Sequence, residues 1–138
     1  MSHRDVFTNY LLLYRPLINA LNNQLANYGL FSSQWGIIRL LKEAAPLTFQ
    51  EIAKAIHIEK PSASNLIHKL IALGYVEAIE GSDKRAKLVQ LTAMGKKVHG
   101  EIDKTINEWS VSIVKGISED EQVIVTRALN TMKKNLLE

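Results

Sequence analysis

Residues 75–92, YVEAIEGSDKRAKLVQLT, narrow the choice of folds more than any other stretch of this chain. Tyr75, Val76 and Ile79, then Leu88, Val89 and Leu91, are β-branched, aromatic or otherwise strand-compatible residues. Gly81, Ser82 and Asp83 between them have turn chemistry, so the stretch reads as two short strands joined by a hairpin. The tip carries Lys84, Arg85 and Lys87, and the pair follows directly on a helical segment.

The rest of the chain has helical periodicity. From Asp5 to Asn27, the residues Val6, Tyr10, Leu13, Leu17, Leu21 and Leu25 recur at steps of three or four, an apolar helix stripe that Gly29 is placed to end. Pro16 inside it removes one backbone hydrogen bond and predicts a kink or a division of the helix. A second helix is expected from Ser32 or Ser33 through Trp35, Ile38 and Leu41 to a stop at Ala44, Ala45 and Pro46. Thr48 to Glu51 forms a capping box that opens a short helix through Ile52, Ala53 and Ile56. After a brief connection with Lys60 at the expected cap position, Pro61 lies in the first turn of the next helix. That helix runs to about Leu73 with Gly74 as its C-terminal cap. Two short helices separated by a tight turn and followed by a strand pair make a winged helix-turn-helix. Beyond it, Thr92 caps a long helix with Val98, Ile102, Ile106, Trp109 and Ile113 on one side, ending near Gly116. Ser118 to Glu121 is a second capping box, opening a final helix with Val125, Leu129, Met132 and Leu136 in register.

The expected fold is therefore mainly α with a small two- or three-stranded β wing. It is one domain over residues 1–138, with the winged module at about 32–92 flanked by terminal helices at about 5–27 and 93–137. No apolar run approaches the roughly 20 residues that span a bilayer, so no membrane partner is expected. The first ten residues lack the pattern of a secretory signal, and the expected location is the cytoplasm. The chain has no cysteine, which removes disulfides, thiolate metal sites and thiol nucleophiles. Four dispersed histidines, His3, His57, His68 and His99, form no metal-ligand spacing, and no phosphate loop, nucleophile elbow or paired catalytic carboxylates are present. The expectation is a non-enzyme with no metal and no cofactor.

The formal net charge is only +3, but between Gly81 and Gly100 five basic residues (Lys84, Arg85, Lys87, Lys96, Lys97) face one acid, Asp83. The positive charge is concentrated around the hairpin. On a helical wheel, Ala63, Leu66, Ile67, Leu70 and Ile71 share one arc, and Ser62, Ser64, Asn65, His68 and Lys69 share the opposite one. Asn65 suits adenine, the serines donate or accept, and Lys69 suits guanine or phosphate. Thr48 and Gln50, at a helix N-terminus, are candidate phosphate contacts, as is Lys60. These features point to double-stranded DNA as a partner.

The stretch KLIALGYVEAIEG (69–81) followed by DKRAKLVQLTAMGKKV (83–98) resembles the wing signature of the MarR family of bacterial transcriptional regulators. Leu73, Gly74, Asp83, Arg85, Leu91, Thr92 and Gly95 match its pattern, and the helix order resembles the family over nearly the whole chain. The resemblance implies a homodimer whose terminal helices interlock, an α-helix in the major groove and Arg85 in the adjacent minor groove, with Asp83 orienting it. Lys84 and Lys87 join this DNA surface. It further implies repression from a roughly palindromic operator, and a small aromatic or anionic effector held between the dimer helices and the DNA module. Trp35, Arg39 and Trp109 are the candidate residues for that effector. A winged helix used for protein contacts shares the same sequence pattern and is the alternative reading.

Overall fold

The computed structural model describes residues 2–82 and 86–138; Asp83, Lys84 and Arg85, on which the wing-tip expectations rest, lie outside the described residues. The order of elements is α1 (His3–Leu25), a 3-10 turn (Ala26–Tyr28), α2 (Ser32–Ala44), β1 (Leu47–Thr48), α3 (Phe49–Ala55), α4 (Lys60–Ala72), β2 (Val76–Glu80), β3 (Lys87–Leu91), α5 (Ala93–Ile113) and α6 (Glu119–Leu137). The chain divides into two compact units, Met1–Thr105 and Ile106–Glu138.

In the first unit, α1 begins two residues earlier than the stripe suggests. The Ser2 N–H donates to the carboxylate of Asp5 at 3.0 Å, which satisfies a free donor at the helix start. The helix is not divided at Pro16. The carbonyl that loses its partner there belongs to Leu12, which is 69% exposed, so water can take the place of the missing N–H. Gly29, Gly74 and Gly116, the three residues expected to end helices, have φ of 74°, 83° and 86°, the left-handed conformation a helix terminus uses.

The sheet has three antiparallel strands in the order β1-β3-β2. Leu47 pairs with Val89 and Thr48 with Leu88, while β2 meets β3 from Val76 opposite Leu91 to Glu80 opposite Lys87. This register turns Val76, Val89 and Leu91 inward. They close one core with Leu25, Leu30, Trp35, Ile37, Ile38 and Leu41 from α1 and α2, Ile52 and Ala53 from α3, and Ala63, Ile67 and Leu70 from α4. Val98 and Ile102 of α5 complete it. The wing strands and the helix-turn-helix thus share a single packed interior, which fixes α4 relative to the hairpin.

The N-terminal half of α1 behaves differently: Phe7, Leu11, Leu12 and Leu13 are all more than half exposed. In the second unit, the Ser118 hydroxyl accepts from the Glu121 N–H at 3.2 Å and the Ser118 N–H donates to the Glu121 carboxylate at 3.0 Å, forming the expected capping box. No residue of α6 is buried, and Val123, Ile124, Val125 and Leu129 are exposed. Among the described residues, no helix is long and apolar enough to cross a membrane.

Candidate nucleic-acid interface

The helix-turn-helix is built from α3 and α4. The Thr48 hydroxyl accepts from the Glu51 N–H at 3.1 Å, and the Glu51 carboxylate accepts from the Thr48 N–H at 2.9 Å, so α3 begins where the capping box placed it. Its exit is sharp. His57 takes φ of 59°, rare for a side chain with a β-carbon, and the Ile58 N–H returns to the Ala53 carbonyl at 3.1 Å. Lys60 is not the cap of α4 as expected. Glu59 holds that position in extended backbone, Lys60 is the first helical residue and Pro61 the second, where neither a missing N–H nor a fixed φ disturbs the helix.

Ala63, Ile67 and Leu70 are fully buried and anchor α4 against α2, α3 and β2. The opposite arc emerges as the wheel anticipated. Ser62, Asn65, His68 and Lys69 are exposed, with Ser64 half-buried beside them. Gln50 is exposed at the start of α3, and Thr48, whose oxygen already caps the helix, is half-buried. Lys60 is exposed at the near end of α4, and Lys87 is exposed at the start of β3. The structure therefore brings Thr48, Gln50, Lys60, Ser62, Ser64, Asn65, His68 and Lys69 onto one helix pair, and Lys87 onto the strand that shares its core. Exposed donors on a rigid helix, with lysines at its margins, are the elements of phosphate positioning and base-edge contact.

The three residues considered for an effector are distributed differently. Trp35 is 3% exposed, and its ring stacks on His99 of α5 with centroids 5.4 Å apart and planes 27° from parallel. The Arg39 guanidinium lies 6.0 Å from the centre of the same indole. Trp109 is half-buried and belongs to the second unit. A cavity of about 360 Å³ near the end of α2 is lined by Leu41, Lys42, Ala45, Pro46, Gln90, Leu91 and Lys96 and includes none of the three. Two aromatic neighbours were not anticipated from the sequence: His99 under Trp35, and Phe49, whose ring lies 5.6 Å from that of His68. Both contacts join different helices, where periodicity within one helix carries no signal.

The family model described as MarR family matches residues 28–86, the stretch containing α2, the helix-turn-helix and most of the wing. The chain is 31% identical over 108 residues to YwoH of Bacillus subtilis, an uncharacterised HTH-type transcriptional regulator, covering 78% of this chain and 79% of that protein. The chain belongs to the MarR family. It is also similar to the HTH-type transcriptional regulator FarR of Neisseria gonorrhoeae, at 29% identity over 122 residues covering 88% of this chain and 79% of FarR. A Staphylococcus aureus MarR solved in complex with salicylate and kanamycin has the same fold, with a TM-score of 0.88 at 25% identity over 97% of this chain and 91% of that one. As a MarR-family member the protein is a DNA-binding transcriptional regulator and not an enzyme. Among the described residues, no three His, Asp or Glu side chains are grouped to hold a metal ion.

Proposed function

We propose that the protein is a cytoplasmic homodimeric repressor that occupies a roughly palindromic operator and blocks transcription there. The observation that carries this reading is the division of α4, whose apolar arc is fully buried at Ala63, Ile67 and Leu70 while its polar arc stands in solvent. In this reading α4 enters the major groove with Asn65, His68 and Lys69 toward base edges. Thr48, Gln50, Lys60, Ser62 and Ser64 meet the backbone, and the wing residues Lys84, Arg85 and Lys87 approach the adjacent minor groove, with Asp83 orienting Arg85. A narrow minor groove favours a guanidinium because its negative potential is enhanced.

The module at about 32–92 then reads DNA while the helices at about 5–27 and 93–137 make the dimer. Exposed Phe7, Leu11 and Leu12 on α1 and exposed Val123, Ile124 and Val125 on α6 support that division, since apolar surface of this kind is buried in assemblies. Two-fold symmetry places half-site centres about 10 to 10.5 base pairs apart or a multiple of it. Release by a small aromatic or anionic effector completes the reading, with Trp35, Arg39 and Trp109 as its candidate contacts. The salicylate bound by the S. aureus relative supports an effector of that chemistry.

The test is to incubate the purified protein with fragmented genomic DNA from its source, recover the bound pieces and sequence them. Enrichment of a palindrome overlapping promoters is the expected result. No enrichment at low salt overturns the reading and favours a winged helix that contacts protein.

A further inference from the structure

Phe49 is the first residue of α3, flanked by Thr48 and Gln50, yet the inward residues of that helix are Ile52 and Ala53. Phe49 itself is half-buried, and its ring lies 5.6 Å from the His68 ring on α4, tilted by 54°. Centroid separations of about 4.5 to 7 Å with tilted planes are the favourable range for aromatic pairs. His68 is otherwise exposed, and among the described residues no hydrogen bond to its side chain is formed. A free imidazole on a helix surface samples several rotamers, and ordering it on a ligand costs conformational entropy. Contact with an aromatic ring on the neighbouring helix removes that freedom beforehand. A neutral imidazole carries one donor nitrogen and one acceptor nitrogen, so the orientation of its plane decides which of them faces outward.

We infer that Phe49 is a positioning residue that sets the His68 ring on the exposed arc of α4, making the pair a determinant of base preference at one position of the site. The inference rests on the DNA-binding reading of α4. Phe49 touches no base in this arrangement; it acts through His68. Because the pair spans α3 and α4, it also ties the phosphate-facing start of one helix to the base-facing middle of the other, so register on the backbone and choice of base are set together.

The experiment selects bound duplexes from a randomised double-stranded library with the wild-type protein, Phe49→Leu, Phe49→Tyr, His68→Ala and the Phe49→Leu/His68→Ala double variant. His68→Ala is expected to lose about tenfold of the preference at one position of each half-site. Phe49→Leu should lose preference at that same position while the others persist, Phe49→Tyr should restore it, and the double variant should match His68→Ala. In parallel, the His68 ring proton resonances of the DNA-free protein should shift in Phe49→Leu and return toward the wild-type positions in Phe49→Tyr. Equal weakening at all positions in Phe49→Leu, additive losses in the double variant, or a wild-type motif from His68→Ala overturns the inference and leaves DNA binding standing. A wild-type protein that enriches no duplex overturns the DNA reading and the inference with it.

Discussion

The backbone carbonyl of Tyr75 occupies the space in which a β-carbon on residue 95 would stand. Glycine at 95 lets the first turn of α5 lie directly against the start of the wing. The obstruction is main chain, so no side-chain rotation can relieve it. Gly95→Ala is expected to destabilise the fold by about 3 kcal/mol, the upper end of what overpacking costs. Urea denaturation should show a lowered midpoint; an unchanged midpoint means that α5 can stand off from Tyr75 without loss.

Tyr75 carries a second constraint. The residue is 9% exposed, and its phenol donates to the Tyr28 carbonyl at 2.7 Å, joining the corner after α1 to the wing. Burial first, then the Tyr28 phenol and the Glu101 carboxylate, push its titration above the ordinary 10.0. The folded state therefore holds this proton more tightly than the unfolded chain. The resulting stability is complete below pH 10.0 and is lost as the pH rises beyond it. Tyr75→Phe should cost about 1 kcal/mol at neutral pH through the lost hydrogen bond. The same variant should show a shallower loss of stability above pH 10.0. Parallel alkaline melting curves for the two proteins would remove Tyr75 as the titrating group.

At the start of α6, the Ser118 backbone N–H, and after it the Ser118 hydroxyl, hold the Glu121 carboxyl below its ordinary 4.5. A depressed carboxylate stabilises the folded state above 4.5, and that contribution fades as the pH falls through the lower folded value. Ser118→Ala removes the hydroxyl and leaves the N–H. Glu121 should then titrate closer to 4.5, as followed by its side-chain carbon resonance, and α6 should lose protection in its first turn. An unmoved titration would mean that the backbone N–H alone sets the shift.

Two variants separate backbone contact from base contact. Arg85→Ala is expected to cost about 1 to 3 kcal/mol of DNA affinity, read as the change in Kd for a recovered operator fragment. Asn65→Ala should relax base preference at one position while leaving affinity for unrelated duplex little changed. Equal weakening on every sequence would make Asn65 a phosphate contact. For the wild type, log affinity should fall linearly with log salt, because each neutralised phosphate releases counterions.

Local rules were enough to place much of this fold. The Thr48 and Ser118 capping boxes, the three helix-ending glycines and the two faces of α4 all follow from residues within one or two turns of each other. Lys60 was misplaced as a cap because Pro61 is equally at home at the first or second helical position, so it does not by itself mark which residue precedes the helix. The short strand β1 was harder to read still. Its two residues are recognisable as a strand only through their pairing with Val89 and Leu88, some forty positions later. Phe49 with His68 and Trp35 with His99 were invisible for the same reason, since each is a meeting between elements that periodicity within one element cannot report. At the candidate DNA surface the residue types were legible from chemistry, whereas the meeting of Phe49 with His68 was not.

The Thr92 hydroxyl donates to the Gly74 carbonyl at 2.5 Å and accepts from the Gly95 N–H at 3.0 Å. One oxygen thus serves as the terminus of α4 and the origin of α5. The end of α4 and the start of α5 are thereby held to one side chain. Valine, matching threonine in shape but lacking the hydroxyl, would remove both of these bonds and leave the Thr92 N–H on the Tyr75 carbonyl as the remaining tie. Serine would keep the linkage intact.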